Sequence, residues 1–170
     1  LADGKLEEIA QNDGTIVGWM TDHDGKLRGA FSKLNNRDLI SLRPDEKSEF
    51  KPFYLAPEGD KASPVMFDFD NQHVIVSTNV NRDKAAYVKL SPGGNEVETL
   101  FEHPEVDVGA MIVNREMKKI QGFGYVTDKL HHKIIDPEFA EIIDSVKARF
   151  AGQSVSYRDA DKLQNKLLFL

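Results

Sequence analysis

Cysteine is absent from this 170-residue chain, which excludes disulfides and thiolate metal ligands. Cysteine usage therefore says nothing of compartment. Long apolar runs are missing as well. None approaches the roughly 18 residues that would read as a membrane helix, so no membrane association is expected. Basic residues are the minority, 22 Lys and Arg against 28 Asp and Glu, for a formal net charge of -6. Phosphate backbones are bound through a basic face, so nucleic acid is not an expected partner. No secretory leader pattern is visible. What remains, 40% hydrophobic and 29% charged residues, is enough for a water-exposed globular chain with a real core.

What the chain does have is repetition. "TIVGWM" precedes the polar turn "TDHDG", and "KLRGAF" follows it. "SPVMFDFDNQ" leads into "HVIVST", "DVGAMIVNREMK" into "KIQGFGYV", and "SVSYRDADKLQN" into "KLLFL". Each unit reads strand, turn, strand. Aligning the second strands superimposes Leu27, Val74, Ile120 and Leu167, spaced 47, 46 and 47 residues apart. A period near 45 residues with several short strands per repeat is the signature of a β-propeller. One four-stranded sheet cannot bury both its faces alone, and stacked neighbours bury each other. Two further strands fit each repeat: "DLISL" and "FKPFYL" in the first, "AAYVKL" and "EVETLFE" in the second.

The fold expected is mainly β: a partial β-propeller of about three four-stranded antiparallel blades with one inserted α-helix. The boundaries expected are a blade remnant over 1–12, blades over 13–57 and 58–103, a blade with a helix over 104–152, and the start of a further blade over 153–170. The opening "LADGKLEEIA" aligns with "LSPGGNEVETL" and is expected to form the turn and outer strand of a blade. Three repeats fall short of the 4 to 8 blades of an ordinary ring. The expectation is a segment of a longer chain. Apolar Ile16, Val17, Leu167 and Phe169 would then lack a neighbouring blade, and the segment would self-associate.

One stretch breaks the β pattern. In "DPEFAEIIDSVKARFAG", Asp136 suits an N-cap, Pro137 the first helical position and Glu138 the positive helix end. Phe139, Ile142, Ile143, Val146 and Phe150 recur at helical spacing and predict one apolar stripe. Lys147 and Arg149 suit the last turns, and Gly152 the stop. The helix takes the place of the third repeat's outer strand.

Chemistry is sparse. Gly152-Gln-Ser154-Val-Ser156 lacks the second Gly of a nucleophile elbow and leads from a helix into a strand, the reverse of what an elbow needs. His131 and His132 are adjacent in a strand and point to opposite faces, which does not suit one metal ion. Asp22-His-Asp24-Gly25 starts like a calcium loop, but Lys33 stands where the bidentate Glu belongs, so a hairpin turn is expected. Gly122-Phe-Gly124 lacks the third Gly of a nucleotide loop and predicts close packing within a strand. Glu102, His103 and Glu105 around Pro104 read as a solvated connection. Trp19, the single Trp, is expected in the core. No catalytic, cofactor-binding or metal residue is assigned, no cofactor is expected, and the substrate-binding residues stay unknown.

"FDFDNQHVIVSTNVNRDKAAYVKLS", "LFEHPEVDV", "HHKIIDPEFAEI" and "GWMTDHDGKLRGAF" together resemble the N-terminal β-propeller of the prolyl oligopeptidase family of serine peptidases, in its bacterial dipeptidyl or acylaminoacyl peptidase-like branch. The likeness runs over nearly the whole chain. The family's Ser-Pro-Asp-Gly turn stands here as Asp68-Phe-Asp-Asn71 and Val113-Asn-Arg-Glu116. The resemblance implies a non-catalytic propeller that gates the access of short peptides to a C-terminal α/β-hydrolase domain carrying Ser, Asp and His. No triad residue is carried over onto this chain. Some relatives hold the substrate amino terminus with paired Glu residues on a helix; Glu138 and Glu141 are not adjacent, so that role is not transferred. The alternative is a stand-alone propeller that binds proteins or ligands.

Overall fold

The computed structural model describes residues 4–153 and 155–170. Among them are 13 strands and one helix, and the chain divides into two compact units, residues 1–100 and 101–170.

The first unit holds two antiparallel four-stranded meanders. The first runs β1 (Ile16–Thr21), β2 (Leu27–Leu34), β3 (Arg37–Leu42) and β4 (Lys51–Leu55), each strand paired with the next in sequence. The second runs β5 (Ala62–Phe67), β6 (Val74–Thr78), β7 (Ala86–Leu90) and β8 (Glu96–Phe101) in the same order. Asn35 and Asn36, both at positive φ, form the two-residue turn between β2 and β3. Asn tolerates that conformation better than other residues with a side chain.

The two sheets bury one core. Val74, Val76, Val88, Leu90, Ala62 and Phe67 of the second sheet meet Ile40 and Ala56 of the first, with Met20, Phe31 and Tyr54 partly buried around them. These residues follow the pleat: Val76 lies opposite Val88, and Val74 opposite Leu90 and Phe67. A polar tie crosses the same boundary. Asp38 of β3 is only 2% exposed. Its carboxylate accepts from the Ala62 N–H at 2.9 Å and from Lys33 Nζ, and its carbonyl accepts from the Ala56 N–H. The first amide of β5 is thereby capped from the neighbouring sheet.

The second unit contains the three-stranded sheet of β9 (Val108–Asn114), β10 (Lys119–Val126) and β11 (Leu130–Ile134), the helix α1 (Pro137–Arg149), and the hairpin of β12 (Tyr157–Ala160) and β13 (Leu167–Phe169). Gly109, Gly122 and Gly124 let these strands lie close. A Cβ on Gly122 would sit 2.6 Å from the Lys133 carbonyl oxygen, and one on Gly109 would sit 2.9 Å from that of Gly124. Gln121, 2% exposed, exchanges both amide hydrogen bonds with Gln164 in the turn of the last hairpin.

Leu27, Val74, Ile120 and Leu167 all fall in the second strand of their repeat, and α1 follows the third strand of repeat three as expected. Asp136 is the N-cap, its carboxylate accepting from the Phe139 N–H at 2.9 Å. Lys119 of β10 pins the helix start through Asp136 and Glu138.

Three expectations are corrected. Among the described residues of the 1–12 remnant there is no outer strand; the first strand begins at Ile16. Side-chain bonds shape the approach to β1 instead: Asn12 Oδ1 accepts from the Gly14 and Ile16 N–H groups, and Asn12 Nδ2 donates to the Ile16 carbonyl. An extended segment without a ladder partner leaves its backbone to such local acceptors. The helix stripe is narrower than five residues: Phe139 and Ile143 are buried and Val146 half-buried, while Ile142 is 39% and Phe150 45% exposed. Ile142 lies to the side of the line through Phe139, Ile143 and Val146, and Phe150 lies past the last helical turn. Trp19 is 42% exposed rather than core. Strand β1 is the edge of its sheet and alternates half-buried and exposed along its whole length; Trp19 falls on the exposed side and leans on Phe50.

Candidate functional site

The hairpin turns at one end of the first unit are clasped together. In Asp22–Gly25 the Asp22 carboxylate accepts from the Asp24 and Lys26 N–H groups, and Gly25 takes φ +78°. This is the hairpin turn expected from sequence. The turn is tied to its counterpart between β5 and β6. The His23 N–H donates to Asn71 Oδ1, and the His23 ring shares a 2.9 Å hydrogen bond with the Phe67 carbonyl and stacks on Phe69. Arg28 donates to the Asn71 carbonyl at 2.8 Å, lies 3.4 Å from Asp22, and stands over the Phe67 ring.

Beside the clasp is a recess of about 320 Å³ lined by Arg28, Arg43, Lys51, Pro44, Pro52 and Phe53, among others. Two of its cations are already committed. Arg43, 6% exposed, donates to the Leu27 and Ile9 carbonyls and lies 4.4 Å over the Phe50 ring. Arg28 is held by carbonyls and Asp22. Carbonyls and an aromatic face can keep a buried guanidinium charged. What the recess offers a ligand is an aromatic and proline wall with the Lys51 ammonium.

Among the described residues, two His–carboxylate pairs link residues three apart. His73 Nδ1 lies 2.5 Å from Asp70, and His131 Nε2 lies 3.2 Å from Asp128. Some burial works against the Asp70 charge, yet the His73 and Gln72 N–H groups and the His73 ring hold its carboxyl down at about 2. Those bonds organise the turn: each imidazole is engaged by the carboxylate three residues before it. Ser154, the middle of the elbow-like stretch, lies outside the described residues. Among the described residues no group of three His, Cys, Asp or Glu could hold a metal, and no helix is long and apolar enough to cross a membrane.

The other sequence candidates have structural places. Gly122 and Gly124 are buried where strands approach. Glu102 and Glu105 are exposed, while His103 is half-buried against the Tyr125 ring at 4.5 Å. Glu138 pairs with Lys119, and Glu141 is exposed on α1. Tyr125 also stacks on His131, whereas His132 meets Tyr157 edge-on. Arg28, Arg43 and Asp38 carry no signal in the sequence. Charged residues inside strand runs read as solvent-facing, and only the neighbouring turns and sheet reveal their partners.

No protein-family model, no curated protein and no solved structure matches this chain.

Proposed function

We propose that the chain is a non-catalytic β-propeller segment of a serine peptidase of the prolyl oligopeptidase type, gating peptide access to a C-terminal α/β-hydrolase domain. The observation that carries the reading is the run of consecutive antiparallel meanders whose second strands repeat at Leu27, Val74, Ile120 and Leu167. That regularity is what a stack of blades requires. The order of motifs, with a helix after the third strand of repeat three, supports the same family. The hydrolase domain would supply acyl-transfer chemistry, and the propeller would select by size and by contacts at its turns.

A second reading is a stand-alone interaction propeller. The recess of Pro44, Pro52 and Phe53 beside Lys51 favours it, because apolar walls with one charge suit peptide docking.

Reading the gene beyond Leu170 separates the two. The peptidase reading expects further propeller repeats and then an α/β pattern with Gly-x-Ser-x-Gly. The product of that whole gene should be labelled by a serine-directed covalent probe at a residue outside positions 1–170. A gene product with no such domain and no labelling overturns the peptidase reading and leaves the interaction propeller.

A further inference from the structure

The second unit has a recess of about 390 Å³ with a different character. Strand β11 and the residue before it contribute Lys129, His131 and His132, α1 contributes Lys147, and the approach to β12 contributes Ser156. Lys129, His132 and Lys147 are cationic or can become so, while His131 is already engaged by Asp128, in a chain with a net charge of -6. We propose that this recess is a binding site for a phosphate-class oxyanion. The inference is independent of the peptidase reading.

Two observations besides the clustering support it. The first is Ser156. Its backbone is fully engaged, the N–H donating to the Leu170 carbonyl at 2.7 Å and the carbonyl accepting from the Leu170 N–H at 2.9 Å. Its hydroxyl is buried and, among the described residues, has no hydrogen-bond partner. A buried hydroxyl left without a hydrogen bond is costly, and such groups in native proteins usually answer to water, an ion or a ligand. An oxyanion in the recess would accept from it. The second is the surroundings of His132. Burial pushes its proton affinity down, and Lys147, Arg158 and His131 push it further. Like charges gathered around one imidazole repel its proton until an anion is present.

Opposing charges are few. Asp128 is hydrogen-bonded to His131, and Asp159 lines the adjoining recess that shares His132 and Leu130. The C-terminal carbonyls of α1 carry the negative end of the helix dipole, which Lys147 offsets in the last turn. Among the described residues Lys147 makes no ion pair. A phosphate-class dianion suits several diverging N–H and O–H donors better than a singly charged carboxylate does. Protonation of His132 adds a charge and a donor, so a bound anion and the imidazole proton favour each other.

The test follows the His132 ring resonances of the intact chain by NMR while pH is varied, with inorganic phosphate, acetate or chloride at matched ionic strength. Phosphate is expected to raise the His132 midpoint, and chloride is not. Lys147→Gln should weaken phosphate binding about tenfold, the loss of one charge-assisted contact, and Ser156→Ala should weaken it less. Lys84→Gln, at a residue paired with Asp83 in the other unit, should leave it unchanged. If Lys147→Gln disturbs the fold, Lys129→Gln takes its place, and the wild-type titration stands by itself. A His132 midpoint that phosphate moves no more than chloride overturns the site. Acetate binding as tightly as phosphate overturns the phosphate assignment.

Discussion

The inner strand β6 of the second sheet and the last strand β13 use the same kind of residues to opposite ends. In β6 the run Val74, Ile75, Val76 is wholly buried, so both faces of the strand are covered. In β12 and β13 none of the seven residues is buried; Leu168 is 55% exposed and Leu167 and Phe169 are intermediate. The apolar runs Val74–Val76 of β6 and Leu167–Phe169 of β13 thus differ in what lies over them. A strand covered on both faces reads as an unbroken apolar run, and one covered on a single face reads as alternation.

Substitutions can probe that contrast. The largest effect is expected at the covered sheet. Ile75→Ala empties a fully buried site and should cost about 3 kcal/mol, whereas Leu168→Ala should cost about 0.5 kcal/mol or less. Thermal unfolding followed by circular dichroism distinguishes them, and equal losses would break the comparison. A somewhat smaller effect is expected at the tie between sheets. Asp38→Ala leaves the Ala62 N–H without its acceptor and should cost about 2 kcal/mol. A urea midpoint unchanged from wild type would mean that the apolar contact alone holds the sheets together. The smallest effect is expected on the exposed side of the helix, where Ile142→Asp should change stability by about 0.5 kcal/mol or less. A severe loss from Ile142→Asp would restore the broad stripe that periodicity implies.

Much of the architecture can be read from pattern. The spacing of Leu27, Val74, Ile120 and Leu167 places the second strands because turn residues and β-branched runs recur with them. Asp136-Pro137-Glu138 marks a helix start because capping is local chemistry. Trp19 and Ile142 cannot be read in this way. Their periodicity permits burial, but burial depends on whether another element lies over that face. The outer strand expected near the start fails for the same reason, since a strand exists only where a ladder partner runs beside it. Site chemistry is less legible still. The recess around His132 joins a strand, the end of a helix and an approach segment, and the Arg28 clasp joins two turns more than 40 residues apart. No short motif records either grouping. Adjacency in a strand is enough to make His131 and His132 unsuited to one metal ion, but their place beside Lys147 comes only from the fold.

The carboxylate of Asp38 has a consequence for how the first unit comes together. It spans only 24 residues to reach Ala62, a short loop whose closure is entropically modest. Once the first meander has formed, its β3 can serve as the template on which β5 of the second begins. Damage spreads by the same route: a fault in the first sheet releases the leading edge of the second before any residue of that second sheet has changed.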